Sequence, residues 1–83
     1  MSDRIRHDIP KETYNSDIVF CVDEFVREVE HREMLKDWWF HGFTLEGLTD
    51  KYHKSLTGVK DIIYGTGDEI LLLALARSRK RQG

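Results

Sequence analysis

Thr57, Lys60, Asp61 and Tyr64 recur at intervals of three, four and seven, which sets them along one face of a helix. Two hydroxyls, an ammonium and a carboxylate on one face can hydrogen-bond base edges in a DNA groove. Four cations near the end of the chain, Arg77, Arg79, Lys80 and Arg81, can meet phosphates. Other chemistries find less support. His7, His31, His41, His53 and Cys21 are the soft metal ligands, and none has a spacing such as His-x-x-x-His or Cys-x-x-Cys, so no metal site is expected. There is no glycine-rich phosphate loop and no nucleophile elbow; the GTGDE stretch reads as a helix break followed by a cap. The chain is therefore expected to be no enzyme and to need no cofactor.

The elements that must hold these residues follow from periodicity. The chain of 83 residues is 40% apolar, enough for one domain with one modest core. One proline and apolar runs at helical spacing predict an all-α fold of about five helices. Residues 1–14 read as a flexible arm interrupted by Pro10, residues 15–76 as the helical domain, and residues 77–83 as a basic tail. A first helix, capped at Asn15 or Ser16, runs to about Val29 with Ile18, Val22, Phe25, Val26 and Val29 on its apolar face. A second covers about 31–41, with Met34, Leu35, Trp38 and Trp39 inward, and ends at a left-handed Gly42. Trp38 is expected in the core and Trp39 partly buried. Thr44 caps a third helix with Leu45, Leu48 and Tyr52 inward. Ser55 caps a fourth with Leu56, Val59, Ile62 and Ile63 inward. Gly65-Thr66-Gly67 ends that helix, and Thr66 with Glu69 forms a capping box for a fifth over 68–81.

The third and fourth helices, joined by a tight turn at 53–55, have the helix-turn-helix plan, in which a bracing helix holds a second at the angle needed to enter a major groove. The outward residues of the second are Thr57, Gly58, Lys60, Asp61 and Tyr64.

Net charge is −2, unevenly spread. Residues 1–30 hold eight acids against four bases, and residues 31–67 balance. Cys21 has no partner for an internal disulfide and reads as a small core residue, as suits a reducing compartment. The polar N-terminus lacks an apolar leader, and the longest apolar run, Ile70 to Ala76, is too short to span a bilayer, so no membrane is expected and the cytoplasm is. That run is apolar on all sides. It is expected either to thread the core or to pack on another subunit, as a homodimer through the 68–76 helix.

The stretch WWFHGFTLEGLTDKYHKSLTGVKDIIY resembles the region-four fold of sigma factors through Leu35, Gly42, Thr44, Leu45, Leu48, Tyr52, Ser55, Val59, Lys60, Ile62 and Tyr64. It is similar in particular to small sigma-like helix-turn-helix proteins of phages and mobile elements in Gram-positive bacteria, over about residues 15–75. The resemblance implies a DNA-binding transcriptional regulator with its recognition helix at about 55–64. It implies that Thr44 and Ser55, at helix N-termini, meet phosphates through backbone N–H groups. It implies that Thr57, Lys60, Asp61 and Tyr64 lie at the DNA surface, with Lys60 on guanine or a phosphate and Asp61 accepting from cytosine N4. A rival reading keeps the scaffold as a protein-interaction module with little DNA affinity, its partner RNA polymerase or another regulator.

Overall fold

A computed structural model describes residues 9–82 of the chain, and among these every regular element is helical. α1 (Asn15–Phe25), α2 (Val29–Phe40), α3 (Leu45–Tyr52) and α4 (Leu56–Lys60) follow in order. A π-helical segment (Asp61–Thr66) then leads directly into α5 (Gly67–Gln82). Lys60, Asp61 and Gly67 all keep right-handed helical dihedrals, so α4, the π segment and α5 form one unbroken rod over 56–82. The fold thus has four helical rods where about five helices are expected.

The expected break at 65–67 is the main correction to the helix plan. Neither glycine there has a positive φ, and the Thr66–Glu69 capping box does not form. Gly67 is buried because the rod crosses α2 at that point. A Cβ on Gly67 would stand 3.3 Å from Leu35 Cδ2 and 3.4 Å from Trp39 Cζ2. The glycine permits close helix contact instead of ending the helix. Gly65 faces open space, and a Cβ added there would meet nothing within 4 Å. Gly65→Ala is therefore expected to stabilise the fold by about 0.5–1 kcal/mol through lower chain entropy. Gly67→Ala is expected to fall below wild type, because the added Cβ presses on the buried side chains of Leu35 and Trp39. Urea midpoints of the two variants check the opposite signs.

One core joins all the rods. Ile18, Cys21 and Val22 of α1, Met34, Leu35 and Trp39 of α2, Leu48 of α3, and Val59, Ile63, Ile70, Leu71 and Ala74 of the rod form one buried cluster, with α1 packed on α5 and α2 on α3 and the π segment. Burial pushes the Cys21 thiol up from its ordinary value, as suits a packed and unreactive side chain.

α1 ends earlier than its apolar pattern suggests. Val26 turns extended (φ −93°, ψ 116°), and Arg32 reaches back to donate to the Val26 and Arg27 carbonyls. The 3.6-residue period is lost there, so Val26 stays buried while Phe25 and Val29 are exposed. The tryptophans are reversed from expectation. Trp39 is buried; Trp38 is half-buried and meets Tyr64 edge-on, with ring centroids 6.3 Å apart. The C-terminus of α2 follows expectation: Gly42 has φ +73°, and the Phe43 N–H donates to the Asp37 carbonyl, closing the turn.

The described part of the arm, residues 9–14, is non-helical but packs against the helices, and the basic segment belongs to α5. Residues 1–8 and 83 lie outside the described residues. Ile9 packs on the core, the Thr13 N–H donates to the Pro10 carbonyl, and the Tyr14 N–H donates to Ser78 Oγ on α5. Residues 77–82 complete α5, in keeping with a helix over 68–81, and do not form a tail separate from it.

Candidate nucleic-acid interface

α3 and α4 are capped by hydroxyl side chains at both starts. Thr44 Oγ1 accepts from the Gly47 N–H at 2.9 Å, and Ser55 Oγ accepts from the Gly58 N–H at 3.1 Å. Each cap satisfies one of the amides that a helix N-terminus leaves unpaired. The turn between them is made by His53 in the left-handed region (φ 56°, ψ 46°), its N–H donating to the Thr49 carbonyl. A left-handed non-glycine residue costs about 1 kcal/mol. The packing of α3 on α4, with Leu48 and Val59 in the same buried cluster, holds the turn in place at that cost.

Burying Val59 of α4 and Ile63 of the π segment turns the opposite face of this part of the rod outward. Ser55, Thr57, Lys60, Asp61 and Tyr64 are all exposed, and so is Thr44 at the start of α3. The four expected recognition residues thus share one accessible face. Lys60 makes no ion pair with another described residue. Lys51 and Lys54 nearby are already engaged, Lys51 with Asp37 at 2.8 Å and Lys54 with Glu30 at 3.0 Å.

The C-terminal cations are placed differently from expectation. Asp17 on α1 is fully buried, and Ser78 Oγ donates to it at 2.6 Å. Arg77 Nε and Arg81 Nη1 donate to its other oxygen at 3.0 and 2.9 Å. Their guanidinium groups lie over the rings of Phe20 and Tyr14. Arg79 pairs with Glu12 at 3.0 Å. Arg77 and Arg81 therefore clamp α1 to α5. Arg79 is mostly exposed in its pair, and Lys80 has no ion pair among the described residues. All four lie at the end of the rod remote from α4, about 25–30 Å along its axis from Lys60.

The hydrogen bond from Ser78 holds the Asp17 carboxyl below its ordinary range; burial opposes this, and the charges of Arg81 and Arg77 reinforce it. Periodicity carries a readable signal here. Ser78 continues the buried stripe of Ile70 and Ala74 at four-residue steps, and a polar group on such a stripe needs a buried partner.

A second polar cluster is not foreshadowed by any motif. Asp37 on α2 is buried and accepts from His41 Nδ1 at 2.8 Å, Lys51 Nζ at 2.8 Å and the Tyr52 hydroxyl at 2.6 Å. Burial alone would raise the Asp37 carboxyl, but the donors from His41, Lys51 and Tyr52 outweigh it and the net shift is downward. Desolvation, and then the bond to Asp37, push the Tyr52 hydroxyl up to about 12. Lys51 and Tyr52 both belong to α3, so Asp37 fixes the orientation of α3 on α2, and through α3 that of α4. A shallow depression beside it is lined by Glu33, Lys36, Asp37, His41 and Lys51. The four-residue step from Asp37 to His41 is the sequence trace of this cluster.

Among the described residues, no group of three or more His, Cys, Asp or Glu side chains could hold a metal ion, and no helix is long and apolar enough to cross a membrane. Compared with known protein families, curated proteins and solved structures, the chain matches none.

Proposed function

We propose that the chain binds double-stranded DNA as a transcriptional regulator, with α3 bracing and the exposed face of α4 entering the major groove as in a helix-turn-helix. The observation that carries this reading is the polar face formed by Thr57 and Lys60 of α4 and Asp61 and Tyr64 of the π segment, open to solvent and backed by Val59 and Ile63 in the core. The cap geometry agrees with it: Thr44 and Ser55 each satisfy one amide, which leaves other N-terminal amides of their helices for phosphate oxygens. Lys60 is the cation of this face. Asp61 disfavours a phosphate beside it and suits an amino group on cytosine. The setting that goes with this reading is the cytoplasm of a bacterium, with the gene on a phage or mobile element.

The pairing of Arg77, Arg79 and Arg81 with acids of the same chain favours the second reading, a protein-interaction module with little DNA affinity, for which RNA polymerase is a suitable partner. A regulator that depended on these arginines for phosphate contacts would have to break its own fold to use them. Arg79 and Lys80 retain exposed charge and can still supply a second phosphate contact.

Fluorescence anisotropy on mixed-sequence duplexes across a salt series separates the readings. Lys60→Ala is expected to weaken DNA binding about tenfold and to flatten the salt slope by roughly one. Arg79→Ala together with Lys80→Ala is expected to weaken it less. Truncation after residue 76 is a poor test, because it removes Ser78, Arg77 and Arg81 from the Asp17 clamp. No binding at low salt by the folded wild-type chain would eliminate the DNA reading in favour of the second.

A further inference from the structure

We propose that the chain pairs with a second copy of itself through the solvent face of α5, with the two helices antiparallel and the two-fold axis opposite Ala74. The surface is the one opposite Ile70, Ala74 and Ser78, which face the core. It carries Asp68, Glu69, Leu72, Ala76, Arg79 and Lys80, all exposed. Leu72 is the most exposed of the large apolar side chains described, at 69%. The steps from Glu69 to Leu72, Ala76 and Arg79 are three, four and three, the spacing of a helix-pairing seam.

The order of charges selects the partner and the direction. Two acids precede the apolar centre and two cations follow it. A parallel second copy would set acids on acids and cations on cations. An antiparallel copy sets Asp68 beside Arg79 and Glu69 beside Lys80, each on its own flank of the seam and each repeated by the two-fold. The same operation places Leu72 against Ala76, a large side chain over a small one, so the helix axes can approach to about 8–10 Å. Asp68, Glu69 and Lys80 make no ion pair with other described residues, and the Arg79–Glu12 pair is exposed on both sides, so these charges are open to a partner. The contact spans about four helical turns, a small area, so the association is reversible and depends on concentration.

This inference does not depend on DNA binding. It is tested by sedimentation equilibrium of the full chain from micromolar to near-millimolar concentration, with circular dichroism to verify that each variant is folded. The wild type is expected to shift with concentration from 9.8 kDa towards twice that mass. Leu72→Asp is expected to remain a monomer throughout. Glu69→Lys and Lys80→Glu are each expected to weaken self-association at least tenfold. A one-to-one mixture of these two is expected to recover it, because every flank then pairs opposite charges. A wild type that stays monomeric at all concentrations overturns the proposal, as does a dimer indifferent to the charge reversals or a mixture that fails to recover. A monomeric wild type would also point to a different occupant for the face, such as residues 1–8 or a foreign protein.

Discussion

At pH 7, a chain carrying Asp17→Asn is expected to unfold at a much lower urea concentration than wild type, with a loss severalfold that of Asp23→Asn. Asp23 forms an exposed pair with Lys36, the kind of contact worth little in water. Asp17 is buried and receives Ser78, Arg77 and Arg81, which hold together helices about sixty residues apart in sequence. Asparagine keeps the shape and can still accept from Ser78, but it leaves two guanidinium groups without a counter-charge. The pH dependence gives a second readout. The folded-state pKa of Asp17 lies below its ordinary value of 3.8, so the unfolded chain binds its proton first as pH falls. The stabilisation is fully present above the unfolded value and is lost as pH drops through the folded one. The gap between wild type and Asp17→Asn should be constant from pH 7 to about 5 and should close below about 4. A gap that persists unchanged at pH 3 would mean that the charge of Asp17 contributes nothing to the clamp.

Leu48→Ala is expected to cost about 3 kcal/mol, within the range for removing a fully buried leucine from a core that can only partly collapse. Leu48 is fully buried and is the one residue of α3 so placed. It sits where α3 meets α2 and the rod, so the void opens at the joint that sets the angle of α4. A domain of this size has roughly 4–12 kcal/mol of stability in total, so such a loss takes up a large share of it. The measurement is chemical denaturation followed by tryptophan fluorescence, with Trp39 reporting from the same core. Under the DNA-binding reading, any affinity should fall further than the unfolded fraction alone explains, because the folded molecules hold α4 less firmly.

The parts of the fold that are legible in the sequence are those governed by local rules. Gly42 after an apolar stripe announces a left-handed stop, and Thr44 and Ser55 announce two caps; all three stand where periodicity puts them. Leu48, Val59 and Ile63 are recognisable as inward positions by the same means. The failures have specific causes. Gly65 and Gly67 read as a helix break, since glycine lowers helix propensity by about 1 kcal/mol relative to alanine. Tertiary packing of Gly67 against Leu35 and Trp39 overrides that preference. The arginines after Ala76 resemble a solvated tail because their partner, Asp17, lies at the other end of the chain. Asp37 is hidden for a similar reason: its role depends on Lys51 and Tyr52, which approach only after α3 folds back over α2. The exposed face of α4 is legible as a surface; whether it recognises DNA depends on chemistry that periodicity does not encode.

The unbroken rod also has a mechanical meaning. Over 56–82 it is about 40 Å long, comparable with the 42 Å longest dimension of the molecule. α4 is therefore one end of a lever whose other end is gripped by α1 through Asp17. Tilting such a lever by about 10° at its midpoint would swing each tip by roughly 3–4 Å, close to the spacing between stacked base pairs. Loosening the grip at one end would then be felt at the other through the π-helical segment 61–66, the one place along the rod where part of the motion can be absorbed.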